Sequence, residues 1–221
     1  PKNQEVAQGI IKSKNLINRI DWDCTIETNY LGQNLGPGKG ISNALSWFFS
    51  QVEMGIIFES DCIPAISFFK YCEQLLIKYK DDNRIWSISG NNFKEIPTKD
   101  DYYFCKNMFL WGFATWRRVW EKYDFLMLTW DEKAFKKHIT NYYRIRFIAN
   151  HQFFRIKGFY ESNILTHRFG SWDIQLFYSQ ILNNAFCIIP QKNLVSNIGI
   201  QGGVHHNKKK FYHELQVDND Y

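Results

Sequence analysis

Two carboxylates stand two residues apart at the end of an apolar run in Gly55–Pro64, GIIFESDCIP. Gly55, Ile56, Ile57 and Phe58 lead straight into Glu59, Ser60 and Asp61. A short continuous apolar run fits a strand buried on both faces of a mostly parallel sheet. Burying an unpartnered carboxylate is costly, so Glu59 and Asp61 belong at the mouth of that strand, facing water or a cation. In open α/β sheets the ligand crevice lies beyond the carboxyl ends of the strands. Carboxylate oxygens placed there suit a hard divalent cation, which in turn holds phosphate. The alternative is a strand that ends in a solvated acidic turn before Pro64.

A second candidate is Leu31–Gly40, LGQNLGPGKG, a glycine-rich loop with one lysine leading into the helical segment Ile41–Phe49. Glycines before a helix let backbone N–H groups approach a phosphate, and the helix N-terminus favours an anion. Lys39 would add a point charge. The spacing matches neither the Walker pattern nor the dinucleotide fingerprint, and an ordinary connecting loop is the competing reading.

The elements that must carry these residues follow from periodicity. Gln4–Arg19 has a helical period and Cys24–Asn29 reads as a short strand. Ser67 is the expected N-cap of a helix over Phe68–Lys80, whose Phe68, Phe69, Cys72, Leu75, Leu76 and Tyr79 form a core stripe. Ile85–Ser89 reads as a second buried strand, and strand, helix, strand in this order predicts a parallel crossover. Lys94–Asp101 is an expected exposed loop. Phe109–Trp120 sets rings beside Arg117 and Arg118, which admits a sugar platform, a nucleic-acid surface or, for most of the rings, core. Asp124–Phe159 is basic, aromatic and helical in its middle. A helix follows Ser171-Trp172-Asp173, where an acid at the helix start is often only a cap. Phe186–Ile189 and Leu194–Ile198 are short strands, and Lys208 to Tyr221 is a polar tail.

Composition bounds the function. The chain has 221 residues, 45% hydrophobic and 18% aromatic, which excludes disorder and fits one sizeable core. Its net charge of +5, from 27 Lys+Arg against 22 Asp+Glu, is too modest and too mixed with acids for a nucleic-acid groove. Five scattered cysteines without zinc spacing read as reduced thiols of a cytosolic-type compartment. No apolar run is long enough to span a membrane.

Six blocks then fall in one order: NLGPGKGISNALSWFF, GIIFESDCIP with SFFKYCEQLLIKYKDD, IWSISGNNF, LWGFATWRRVW, WDIQLFYSQI and NLVSNIG. Together they resemble bacterial glycosyltransferases of the nucleotide-diphospho-sugar transferase superfamily, and more distantly the eukaryotic N-acetylglucosaminyltransferase that starts complex N-glycans. The resemblance spans roughly Asp21 to His206. It implies a GT-A-like, Rossmann-like α/β fold with a mostly parallel central sheet flanked by helices and a smaller acceptor-side subregion, one domain over 1–207. It implies transfer of a sugar, with inversion, from a nucleotide-diphosphate sugar (a UDP-sugar foremost) to a carbohydrate or glycoconjugate acceptor, using Mn²⁺ or Mg²⁺, in polysaccharide or glycoconjugate synthesis. The implied setting is cytoplasmic or peripheral at the inner membrane face.

Residue by residue, the family's acidic motif falls on Glu59-Ser60-Asp61, with Asp61 the implied metal ligand and Glu59 positioning the donor. Ser60 stands where relatives usually carry a second Asp, which weakens whatever that carboxylate does for the ribose. Asp173 falls on the implied general base, and His206, or else His205, on a residue that completes the metal shell. Lys39, Gly36 and Gly38 would lie near the nucleotide, and Trp111, Gly112 and Trp116 on the acceptor side. Such folds usually open with a further βα unit, so the natural protein is expected to extend upstream of Pro1. The competing class is a non-catalytic relative that binds carbohydrate or a partner.

Overall fold

Apolar residues at Phe68, Tyr71, Cys72, Leu75 and Leu76 give one continuous stripe along a helix, and that stripe is buried. The computed structural model describes residues 4–93 and 99–201, with nothing on the side chains of Ile200 and Gln201. The elements in order are α1 (Gln4–Lys14), α2 (Gly36–Gln51), β1 (Met54–Ile57), β2 (Cys62–Pro64), α3 (Ile66–Lys78), β3 (Ile85–Ser89), β4 (Tyr102–Cys105), β5 (Phe113–Trp116), α4 (Arg117–Trp120), α5 (Glu132–Tyr143), α6 (Arg146–Phe159), α7 (Asp173–Leu182), β6 (Phe186–Pro190) and β7 (Val195–Asn197). Short 3₁₀ turns follow α1 and β7, and a π turn, Tyr160–Ile164, follows α6.

The chain forms two compact units, Pro1–Asn34 and Leu35–Tyr221. In the first, α1 runs into the 3₁₀ turn Asn15–Arg19 and none of their described residues is buried. Lys14 Nζ lies 4.3 Å from the centre of the Tyr30 ring. The strand expected at Cys24–Asn29 does not form: the segment has no ladder partner. Its apolar positions are too few to seat it on a sheet.

The second unit holds a five-stranded mixed sheet of order β1-β5-β3-β6-β4 and a two-stranded ribbon, β2-β7. The expectation of a mostly parallel sheet is corrected here. β3 and β6 are parallel neighbours, whereas β1–β5, β3–β5 and β4–β6 pair antiparallel. β1 and β3 do run the same way, since both oppose β5, but β5 lies between them. All four residues of β5 are buried, Thr115 with its hydroxyl donating to Trp86 O, so this strand takes an interior place. The helix start expected at Ser67 is also shifted: Ala65 is the N-cap of α3 and Ser67 lies in the first turn. Part of the loop expected at Lys94–Asp101 lies outside the described residues, as does the tail from Lys208.

Two cores result. One packs α2 and α3 on the sheet through Leu45, Phe49, Phe68, Leu75, Trp86, Ile88 and Ile188. The other is helical, with Phe135 and Ile139 of α5, Phe153 and Ile156 of α6, and Phe177, Tyr178 and Ile181 of α7. Trp172 and Leu176 belong to the first core, so the α7 region is shared by both. The arginines of Phe109–Trp120 serve this body. Arg117 Nε donates to Phe49 O at 2.6 Å, and Arg118 donates to the carbonyls of Lys80, Tyr79 and Ile85. Among the described residues no helix is long and apolar enough to cross a membrane.

Candidate active site

β1 ends at Ile57, and Phe58 packs against Phe68 at 5.5 Å between ring centres. Cys62 N then donates to Glu59 O at 3.1 Å, closing a tight turn over Glu59-Ser60-Asp61. The turn separates its three side chains. Glu59 is half-buried and lines a cleft of about 500 Å³, Ser60 is exposed, and Asp61 is half-buried beside the segment after β7. That segment is tied to it, because Ile198 N donates to Asp61 O at 2.9 Å. A Cβ placed on Gly199 would fall 2.1 Å from Asp61 Oδ2, so only glycine lets the carboxylate lie there.

The cleft is walled by Pro37 and Ile41 of α2, by the run Met108–Trp111 with Phe93, and by Gly170–Asp173 at the start of α7. Phe93 meets Phe109 and Trp111 edge-on, at 4.8 and 5.2 Å between ring centres. β3 brings its carboxyl end to the same side as that of β1, so Phe93 and Glu59 face one opening. A buried amide clasp fixes what lies behind. Asn91 Nδ2 donates to Val195 O, Asn92 Nδ2 to the carbonyls of Pro190 and Gln191, and Asn193 Nδ2 to Val195 O. The clasp holds β7, and β7 holds β2 and the acidic turn.

Asp173 lines the same cleft as Glu59. It opens α7, and among the described residues its hydrogen bond is from Ser171 Oγ. The side chain is therefore oriented by a hydroxyl instead of capping the helix backbone. Trp172 is buried, stacks on Phe113 at 5.9 Å between ring centres, and its indole favours the charged form of Glu59. Burial first, then the charges of Asp61 and Asp173, push the Glu59 carboxyl above its ordinary value, against the lowering effect of Trp172. Among the described residues the ion pairs are Arg84–Asp82, Lys157–Glu132 and Lys157–Glu161, so no basic side chain pairs with these three acids. Arg155 feels the charge of Asp173 from a greater distance. Burial, reinforced by Asp61 and Glu59, pushes Cys62 up to about 12, which keeps it a neutral thiol at neutral pH.

Other expected site residues are placed elsewhere. Gly36 and Gly38 lie in the first turn of α2, which begins five residues earlier than the expected helix. A Cβ on Gly38 would stand 2.0 Å from Phe169 O and 2.7 Å from Ser171 O, so this glycine serves close packing. Lys39 turns away from the acids: its Nζ sits 4.5 Å from the centre of the Phe169 ring and borders a different hollow with Ser42, Trp120 and Tyr123. Trp111 lines the cleft, but Gly112 is buried behind it. Trp116 is a core residue whose Nε1 donates to Leu76 O at 3.1 Å. His205 and His206 lie outside the described residues. Trp172, Ser171, Phe93 and Phe109 enter the site without having been singled out. The one signal for Trp172 was its place directly before the acid.

Glu59, Asp61 and Asp173 offer hard oxygen donors whose mutual repulsion a divalent cation would relieve. Among the described residues no group of three or more His, Cys, Asp or Glu side chains is placed to hold a metal ion together, these three acids included. Two carboxylates with open positions are nonetheless the set that Mg²⁺ or Mn²⁺ uses when phosphate oxygens and water complete the shell. No protein-family model matches this chain, and no curated protein matches it in sequence.

Proposed function

We propose that the chain transfers a sugar from a nucleotide-diphosphate donor, a UDP-sugar foremost, to a hydroxyl of a carbohydrate or glycoconjugate acceptor, on a GT-A-like fold. One observation carries the reading: Glu59 and Asp173 line one cleft, Asp61 stands close enough to Glu59 for its charge to be felt there, and among the described residues none of the three has a basic partner. Asp61, with Glu59 beside it, would hold Mn²⁺ or Mg²⁺, and His205 or His206 is the further ligand that the resemblance suggests. When bound, the cation supplies neutralising charge for the departing diphosphate.

The remaining work falls to side chains of the cleft. The acceptor hydroxyl attacks the anomeric carbon, the bond from that carbon to the diphosphate oxygen breaks, and the hydroxyl proton passes to Asp173. Ser171 Oγ holds one oxygen of that carboxylate, which leaves the other for the acceptor. Phe93, Phe109 and Trp111 form an apolar wall on which the C–H face of a sugar ring can rest.

Hydrolysis and transfer assays with a panel of nucleotide sugars and Mn²⁺ test the reading. Activity is expected to require the metal, to vanish in Asp61→Ala, and to fall by about 10²–10⁴-fold in Asp173→Asn with donor binding retained. A non-catalytic relative is favoured by one feature, the exposed Ser60 in place of a second carboxylate. Donor or sugar binding with no turnover in any metal would establish that alternative.

A further inference from the structure

The net charge of the chain is +5, and one stretch accounts for all of it. Residues 131–159 contain seven basic side chains and two acidic ones, while the rest of the chain carries as many acids as bases. Both acids are engaged at the start of α5. Asp131 accepts from Ala134 N at 2.7 Å, and Glu132 pairs with Lys157 at 2.6 Å. Lys133, Lys136, Lys137, Arg144, Arg146 and Arg155 remain without a carboxylate partner among the described residues. Such one-sided concentration of charge points to an anionic surface.

The same region exposes large apolar side chains. α5 packs on α6 across a two-residue corner, where Arg144 takes a left-handed conformation with φ of 59°. The corner reads Arg144-Ile145-Arg146-Phe147, and all four are exposed, with Ile145 at 56% and Phe147 at 82%. Phe154 follows seven residues on, on the same face of α6, at 60%. Lys136 Nζ stands 5.3 Å from the centre of its ring, which joins the lysine row of α5 to the apolar row of α6. Lys133, Lys136, Lys137 and Thr140 border a shallow hollow beside it.

We propose that this α5–α6 face seats the protein on a bilayer rich in anionic phospholipid. Arg144, Arg146 and the α5 lysines would meet headgroup phosphates, while Ile145, Phe147 and Phe154 enter the boundary between headgroups and acyl chains. A nucleic acid fits less well. Ile145 has no ring to stack on a base, and the basic residues follow two helices instead of lining a groove. The inference does not depend on the sugar-transfer reading.

Co-sedimentation of the full chain tests it, with vesicles of phosphatidylcholine alone and vesicles containing one-third phosphatidylglycerol. Binding is expected to the anionic vesicles, to weaken with salt, and to be weak on pure phosphatidylcholine. The double variants Ile145→Ser/Phe147→Ser and Arg144→Glu/Arg146→Glu should each lose at least about tenfold in apparent affinity. Lys70→Glu on α3 should stay within about twofold. Circular dichroism and melting verify that both double variants are folded; if one is not, Phe154→Ser and Lys133→Glu/Lys137→Glu replace it, with the same direction of effect. Absence of binding to anionic vesicles, or binding indifferent to the apolar substitutions, overturns the proposal. Tighter binding to an oligonucleotide duplex or single strand than to these vesicles also overturns it and assigns the face to nucleic acid.

Discussion

Glu59 stands between two other acids, half-buried, with one indole for support. Its proton is held more tightly in the folded chain than in the unfolded one. Below its ordinary value of 4.5 the group is neutral in both states and costs nothing. As pH rises through that value toward the raised one, the folded state must bear the charge and stability is lost. Glu59→Gln is therefore expected to raise the melting temperature at pH 7 by about 2–4 °C, with the gain disappearing at pH 4. Differential scanning calorimetry at the two pH values checks this. In the wild type, Mn²⁺ should also raise the melting temperature at pH 7, and Asp61→Ala should abolish that rise. A stabilised Glu59→Gln that turned over donor at the wild-type rate would remove Glu59 from the site.

At the scale of elements, α2 reaches the cleft because Gly38 allows its first turn to press on the backbone of Phe169 and Ser171. Gly38→Ala would drive a Cβ into two carbonyl oxygens that cannot rotate away. The expected cost is about 2 kcal/mol or more, read by urea unfolding, together with loss of donor binding, because Ser171 and Asp173 move with that segment. This also shows what the sequence reveals and what it conceals. The strand before Glu59, the helix α3 and the strand at Ile85–Ser89 are local patterns that form close to where periodicity places them, but β1 is a half-exposed edge strand instead of one buried on both faces, and Phe69 of the expected α3 stripe is exposed. That Glu59 and Asp173 belong to one site is an expectation from family resemblance and not from any local pattern; the structure places both on the lining of one cleft. Strand direction is not local. Nothing in Phe113–Trp116 tells that it returns between β1 and β3, since a strand buried on both faces reads the same either way. Gly38 and Lys39 read as a phosphate loop because the partners that explain them, Phe169 and Ser171, lie some 130 residues later in the chain. The amide clasp of Asn91, Asn92 and Asn193 was concealed for the same reason.

For the molecule as a whole, the helical core and the sheet core meet in the residues around α7. Ile139→Ala in the helical core and Leu75→Ala in the sheet core each remove a buried aliphatic side chain that does not line the cleft. Each is expected to cost about 2–5 kcal/mol and to lower one common melting transition. Two separated transitions in calorimetry would show that the cores melt independently. A common transition follows if α7 works as a rivet between the two layers.

Asp173 sits at the head of that rivet. Warming that loosens either layer must slacken the grip on this carboxylate at the same moment, so the chain should have no temperature range in which it is intact yet idle. Heat would switch it off as abruptly as it comes apart.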